Sequence, residues 1–228
     1  MAANKILEEF YAFVNFARDG FKYNLQVFPD TITAASLLFS LLFQSPPLAA
    51  LSGSLILLNF IHPVFARFLS NFVNGTVGVE QGMRCSGHFP GVSLERAMFA
   101  SGVSDTQWPS YYSMFLGFLG GYVGLLPCIY KKELEASTRR RAASIFGITV
   151  LVIVLLLGLL FRVLSGCDTI AGTLLGVAAG GVVGLTFVGF LAWVSERRIT
   201  NILAMPLIRD RASDGKPIYV CERSAASS

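Results

Sequence analysis

Charged side chains are scarce in this sequence: Asp, Glu, Lys and Arg make up 14% of its 228 residues, where an ordinary soluble domain carries about 25%. So few charges cannot solvate a globular surface, which speaks against a soluble enzyme, a disordered chain and a nucleic-acid binder. Histidine is scarcer still, with His62 and His88 the only two. No cluster of metal-ligating side chains is visible, so neither a metal nor another cofactor is expected. Four cysteines in so apolar a chain do not make a disulfide framework. Met1–Lys22 lacks a basic start followed by an apolar core and holds Glu8, Glu9 and Asp19. That composition speaks against a secretory signal and against a mitochondrial presequence.

What the chain does have is hydrophobic length. Apolar residues make up 54% of it, mean hydropathy is +0.61, and the apolar stretches fall at 31–45, 48–73, 110–130, 143–161 and 169–194. A helix needs roughly 20 apolar residues to cross a bilayer core of about 30 Å. The expected fold is therefore all-α, a polytopic membrane bundle of about five transmembrane helices over residues 31–194. Residues 1–30 form an N-terminal segment in which Ile6, Phe10, Phe13, Val14 and Ala17 recur at helical spacing. Such a segment lies on the membrane interface or packs on the protein's own body. A polar C-terminal tail occupies 195–228. The first stretch is the weakest, a span or a re-entrant loop, and Pro46-Pro47 separates it from the second as a helical hairpin. Between the second and third stretches lies a long polar segment, 74–108.

Charge is distributed unevenly over the connections. The loop 131–142 and the tail carry Lys131, Lys132, Arg139, Arg140, Arg141, Arg197, Arg198, Arg209, Arg211, Lys216 and Arg223. The opposite connections carry only Lys5, Arg18, Lys22, Arg84, Arg96 and Arg162. The positive-inside rule places the richer side, with the C-terminus, in the cytoplasm or its topological equivalent. Gly172, Gly176, Gly180 and Gly184 repeat every four residues, and Gly117, Gly120, Gly121 and Gly124 sit similarly in the third stretch. Small residues let helices approach closely in lipid, either within one chain or between copies.

The unusual residues gather on the less basic side. Arg162 ends the fourth stretch, six residues before Asp168; Arg67 lies inside the second; Arg84 and Cys85 lie in the polar segment. Arginines converging on a polar mouth suit a phosphate, which they grip by charge-assisted hydrogen bonds. The alternative is that they snorkel to the interface. Cys85 and Cys167 face the same side and are placed to pair in an oxidising compartment, or to remain thiols. Asn74-Gly75-Thr76 is a glycosylation sequon on that side.

The run Phe161-Arg162-Val163-Leu164-Ser165-Gly166-Cys167-Asp168-Thr169-Ile170-Ala171-Gly172 resembles the third motif of the type 2 phosphatidic acid phosphatase superfamily, closest to its dolichyl-diphosphatase branch. Trp108-Pro109-Ser110-Tyr111-Tyr112-Ser113 is similar to the second motif, and Leu207-Ile208-Arg209-Asp210 to the end of dolichyl diphosphatases. The resemblance implies a phosphatase-like helix bundle with Arg162, Arg84 and Arg67 as phosphate-binding residues. It also implies a histidine nucleophile and a histidine general acid. Asp168 and Tyr112 stand at those two places. A tyrosine hydroxyl of pKa near 10 is a poor proton donor for this chemistry. Ser86-Gly87-His88 spells the end of the second motif but leads into a polar stretch rather than a span. His62, beside Pro63, reads as an interhelical hydrogen-bonding residue.

These departures lead to the expectation of a catalytically inactive lipid-phosphatase-like membrane protein with a structural or assembly role in a membrane complex. Its partners would be membrane lipids, a retained lipid phosphate and other protein subunits. A working dolichyl-diphosphate or related lipid phosphatase is the second reading, and a transporter or channel the third. By analogy the resemblance implies an endoplasmic-reticulum-like membrane; an organellar inner membrane or a virion's internal membrane would suit the same residues.

Overall fold

In lipid every backbone N–H and C=O must find its partner inside the protein, so apolar stretches of this length become helices. The computed structural model describes residues 11–12, 14–16, 19–20, 23–25, 27–70, 109–195, 197–202, 208–211 and 217–219. Its long helices are α1 (Phe28–Leu42), α2 (Pro46–Ser70), α3 (Tyr111–Ile129), α5 (Thr138–Leu164) and α6 (Ile170–Val194), with the short α4 (Lys131–Glu135) between α3 and α5. The described residues of 11–25 are also helical. Ile6, Phe10, Phe13 and Ala17 of the N-terminal stripe lie outside the described residues, as do Asn74-Gly75-Thr76, Arg84, Cys85 and His88.

Helices α2, α3, α5 and α6 are each long and apolar enough to cross a membrane. Helix α1 has 15 residues and rises about 22 Å, short of a hydrocarbon core of about 30 Å. Among the described residues the bundle thus has four helices of spanning length and a shorter one, α1, paired with α2. Their turn follows from local chemistry. Gln44 takes a positive φ of 48°, the Ser45 N–H donates to the Ser40 carbonyl at 3.1 Å, and Pro46 opens α2, where its missing N–H has no intrahelical partner to lose. Ser52 Oγ then meets Ser36 Oγ across the hairpin at 3.1 Å. The basic run Arg139–Arg141 and Arg162 fall inside α5, which extends beyond the apolar stretch at both ends; arginine is a good helix former and does not end a helix.

Helix α3 is the axis of the bundle. Residues 112–119 are buried without a break, a pattern that requires neighbours on all sides. One neighbour is α6, whose buried face is Gly172, Gly176, Gly180, Gly184 and Val188, at four-residue spacing. A Cβ added at Gly176 would lie 2.9 Å from Ser113 Cβ, and one at Gly180 would strike the Met114 carbonyl. From the other helix, Cβ atoms at Gly117 and Gly121 would strike the backbone of Val177 and Gly181. The glycine faces therefore pack on each other within one chain. Helix α5 approaches through a stripe of less exposed residues, Ser144, Ile148, Leu151, Leu155, Gly158 and Arg162, and leaves Phe146, Ile153, Leu156 and Leu160 outward. The tail contains an antiparallel hairpin of β1 (Ile208–Arg211) and β2 (Pro217–Tyr219), an addition to the all-helical body that the apolar pattern does not encode.

This packing separates two glycines of one helix pair. Gly180→Ala is expected to destabilise the protein by about 1–3 kcal/mol through overpacking against backbone that cannot yield. Gly124→Ala, whose Cβ meets nothing within 4 Å, is expected to be neutral or to stabilise by up to about 1 kcal/mol through helix propensity. Unfolding in mixed detergent micelles measures both. Equal behaviour of the two variants would count against the seam.

Candidate functional site

The turn between α5 and α6 is built by one glycine. Gly166 has φ +70°, its N–H donates to the Val163 carbonyl at 3.1 Å, and the Cys167 N–H donates to the Arg162 carbonyl at 3.0 Å. This is the Schellman arrangement, which closes a helix and reverses the chain within a few residues. Thr169 then caps α6, its side chain accepting from the Gly172 N–H at 3.1 Å. The reversal carries Asp168 back over the last turn of α5, to the side chain of Arg162.

The two form a forked ion pair. Arg162 Nε donates to Asp168 Oδ2 at 3.0 Å and Nη2 donates to Oδ1 at 3.3 Å. Both side chains are almost wholly buried, with 3% exposure each. The first turn of α3 closes the other side. Ser113 Oγ donates to Asp168 Oδ2 at 3.3 Å, Ser110 Oγ lies 3.5 Å from Arg162 Nη2, and the guanidinium sits 5.0 Å from the centre of the Tyr112 ring, within cation–π range. The Tyr112 hydroxyl points elsewhere and donates to the Leu25 carbonyl at 2.7 Å. That bond ties the N-terminal helical segment to the start of α3.

His62 lies at the same end of the bundle, fully buried in α2. Its Nε2 is 2.8 Å from the Pro109 carbonyl; a carbonyl can only accept, so Nε2 carries a proton. The ring also meets Tyr111 edge-on, with centroids 5.4 Å apart. It joins two helices, as its position beside Pro63 suggests. Arg67 is exposed in the last turn of α2, whereas Arg162 is enclosed. Cys167 is buried and disulfide-bonded; its partner lies outside the described residues, as Cys85 does. Cys128 is an exposed free thiol.

Chemically, the centre is self-neutralised. The Asp168 carboxylate has both oxygens engaged by the Arg162 guanidinium. The Tyr112 hydroxyl is engaged by the Leu25 backbone carbonyl. Among the described residues, no group of His, Cys, Asp and Glu is arranged to hold a metal ion.

A second polar cluster, at the opposite end, has no counterpart in the sequence reading. Tyr130 Oη bonds Thr200 Oγ1 at 2.8 Å and donates to the Arg197 carbonyl. Arg197 reaches the buried Glu133, with Nη1 to Oε1 at 3.8 Å. Burial raises the Tyr130 phenol above its ordinary value, against the Thr200 hydrogen bond, which lowers it. The cluster fastens the chain leaving α6 to the end of α3. The local signal for it is Glu133, one of two acids, with Glu135, in the basic loop 131–142.

No family model matches this chain, and no curated protein or solved structure is similar enough to place it.

Removing one member of a buried pair strands the other, at about 3–5 kcal/mol, whereas replacing both with apolar groups is often neutral. Arg162→Ala and Asp168→Ala should therefore each destabilise strongly, and the Arg162→Met/Asp168→Leu double variant far less than the sum of the single losses. A double-mutant cycle in detergent unfolding reads the coupling. Strict additivity would refute it.

Proposed function

We propose that this chain is a catalytically silent, lipid-phosphatase-like membrane protein with a structural role in a membrane assembly. The observation that carries the reading is the buried fork between Arg162 and Asp168. A guanidinium that would grip two oxygens of a phosphate here grips two oxygens of the protein's own carboxylate. Asp168 supplies the anion, cancels the positive charge and repels a second anion brought to the same place. Formation of an acyl phosphate on Asp168 would need that charge repulsion blunted, a task for which phosphoryl-transfer sites use metals and cationic clamps. The bond between Tyr112 and Leu25 supports the same reading, because the hydroxyl is held away from the position of a leaving oxygen.

The orientation we propose puts the basic end, with α4 and the chain after α6, on the cytoplasmic-equivalent side. The Arg162 end then faces the lumen or exterior, which the disulfide at Cys167 supports, since such bonds persist in oxidising compartments. An assembly role is supported by α5, whose apolar residues face outward along most of its length and offer a surface to lipid or to neighbouring subunits.

The test is phosphate release by the purified full chain from dolichyl diphosphate and from phosphatidic acid, beside Arg162→Ala. No release above the variant is expected. Turnover that vanishes in Arg162→Ala would overturn the proposal and make Asp168 the residue to explain. A companion measurement asks whether Asp168 occupies a phosphate position. Inorganic phosphate should raise the melting temperature of Asp168→Asn, where the carboxylate charge is gone, and leave the parent protein unmoved.

A further inference from the structure

At the basic end, α3, α4 and α5 part around a cleft of about 430 Å³, within the usual range of about 300–1,000 Å³ for small-ligand sites. Its lining has a direction. Arg140 and Ser144, one turn apart on α5, supply the polar groups, and the stripe continues through Gly147, Ile148 and Leu151 against Val123, Leu126 and Pro127 of α3. From residue 140 to residue 151 a helix rises about 16 Å, roughly half of a hydrocarbon core of about 30 Å. The cleft therefore runs from the basic surface to mid-bilayer, the depth of one leaflet. Ala143 and Gly147 are exposed along it, so it opens sideways to lipid.

Among the described residues the charge at its mouth has no ion-pair partner. Arg139, Arg140 and Arg141 stand in the opening turn of α5, where there is no acidic residue and Ser137 makes no side-chain cap. Cations at a helix N-terminus oppose the dipole. Among the described residues none of the three forms an ion pair: Lys131 takes Glu135, Arg162 takes Asp168 and Arg197 takes Glu133. An anion at this point satisfies the arginines and the helix end together.

We propose that the cleft binds one anionic phospholipid, its phosphate at Arg140 and an acyl chain lying along Gly147 to Leu151. The site is at the opposite end of the bundle from the Arg162 centre and does not depend on the reading given to that centre. Only Arg140 of the basic run lines the cleft, which separates a built site from diffuse attraction to a basic surface.

The full chain in mild detergent is mixed with equal amounts of phosphatidylglycerol and phosphatidylcholine carrying the same acyl chains, and retained lipid is read by native mass spectrometry. The parent protein should keep phosphatidylglycerol in preference by about fivefold or more. Arg140→Gln should lose that preference and Arg139→Gln should keep it. Gly147→Leu, whose new side chain grows into space open beyond 4 Å, should retain neither lipid while melting like the parent. Equal retention of the two lipids by the parent overturns the proposal. So do equal losses in the two arginine variants, or unchanged retention in Gly147→Leu.

Discussion

Helices in lipid gain nothing from hiding apolar surface from water, so close backbone contact must hold them together. In this protein that constraint falls on the seam between α3 and α6. Gly117 and Gly121 of α3 and Gly176, Gly180 and Gly184 of α6 face backbone of the other helix, and a single added methyl at Gly180 or Gly117 would meet a carbonyl or a Cα. The polar centre depends on the same approach. Gly176 sits against Ser113 Cβ and the Ser110 carbonyl, and that closeness brings the first turn of α3 alongside the α5–α6 turn. With larger residues on the seam, Ser113 would stand away from Asp168 and the ion pair would lose one of its hydrogen bonds.

The enclosed pair shows how a membrane protein tolerates charge. Two buried ions are costly to desolvate, and their mutual attraction offsets that only with good geometry and further hydrogen bonds. Both conditions are met locally. The Schellman turn at Gly166 directs Asp168 onto Arg162, and the serines of α3 complete the shell. The other end of the bundle uses a looser device, Tyr130, Thr200 and Arg197 around Glu133. Between these ends α3 is buried without a break over 112–119 and again at Tyr122 and Leu126, so one helix joins the two polar clusters and supplies much of the core.

Much of this architecture was legible before any coordinates. The spans at 48–73, 110–130, 143–161 and 169–194 correspond to α2, α3, α5 and α6, with ends moved by a few residues where arginines extend the helix beyond the apolar run. The weakness of 31–45 reappears as a helix of 15 residues. His62 as an interhelical bonder needed only its place beside a proline inside a span. The candidate site was legible as positions but not as chemistry. Arg162 and Asp168 were marked out, and Arg162 is enclosed whereas Arg67 is exposed in the last turn of α2. The hydroxyl of Tyr112 is committed to a carbonyl 87 residues earlier, a partner no local pattern could name.

The division has a physical basis. The sequence by itself determined that this is a helical membrane protein, where its spans lie, which end is basic and which faces are small enough to touch. Those properties follow from the solvent acting on each segment independently: a run is apolar for about 20 residues or it is not. Only the tertiary structure decided that Arg162 is neutralised by Asp168, that Tyr130, Glu133 and Arg197 tie α6 to α3, and that a cleft opens beside Arg140. Those outcomes depend on how helices distant in sequence rotate and approach, and at that range a shift of one residue points a side chain at a different neighbour.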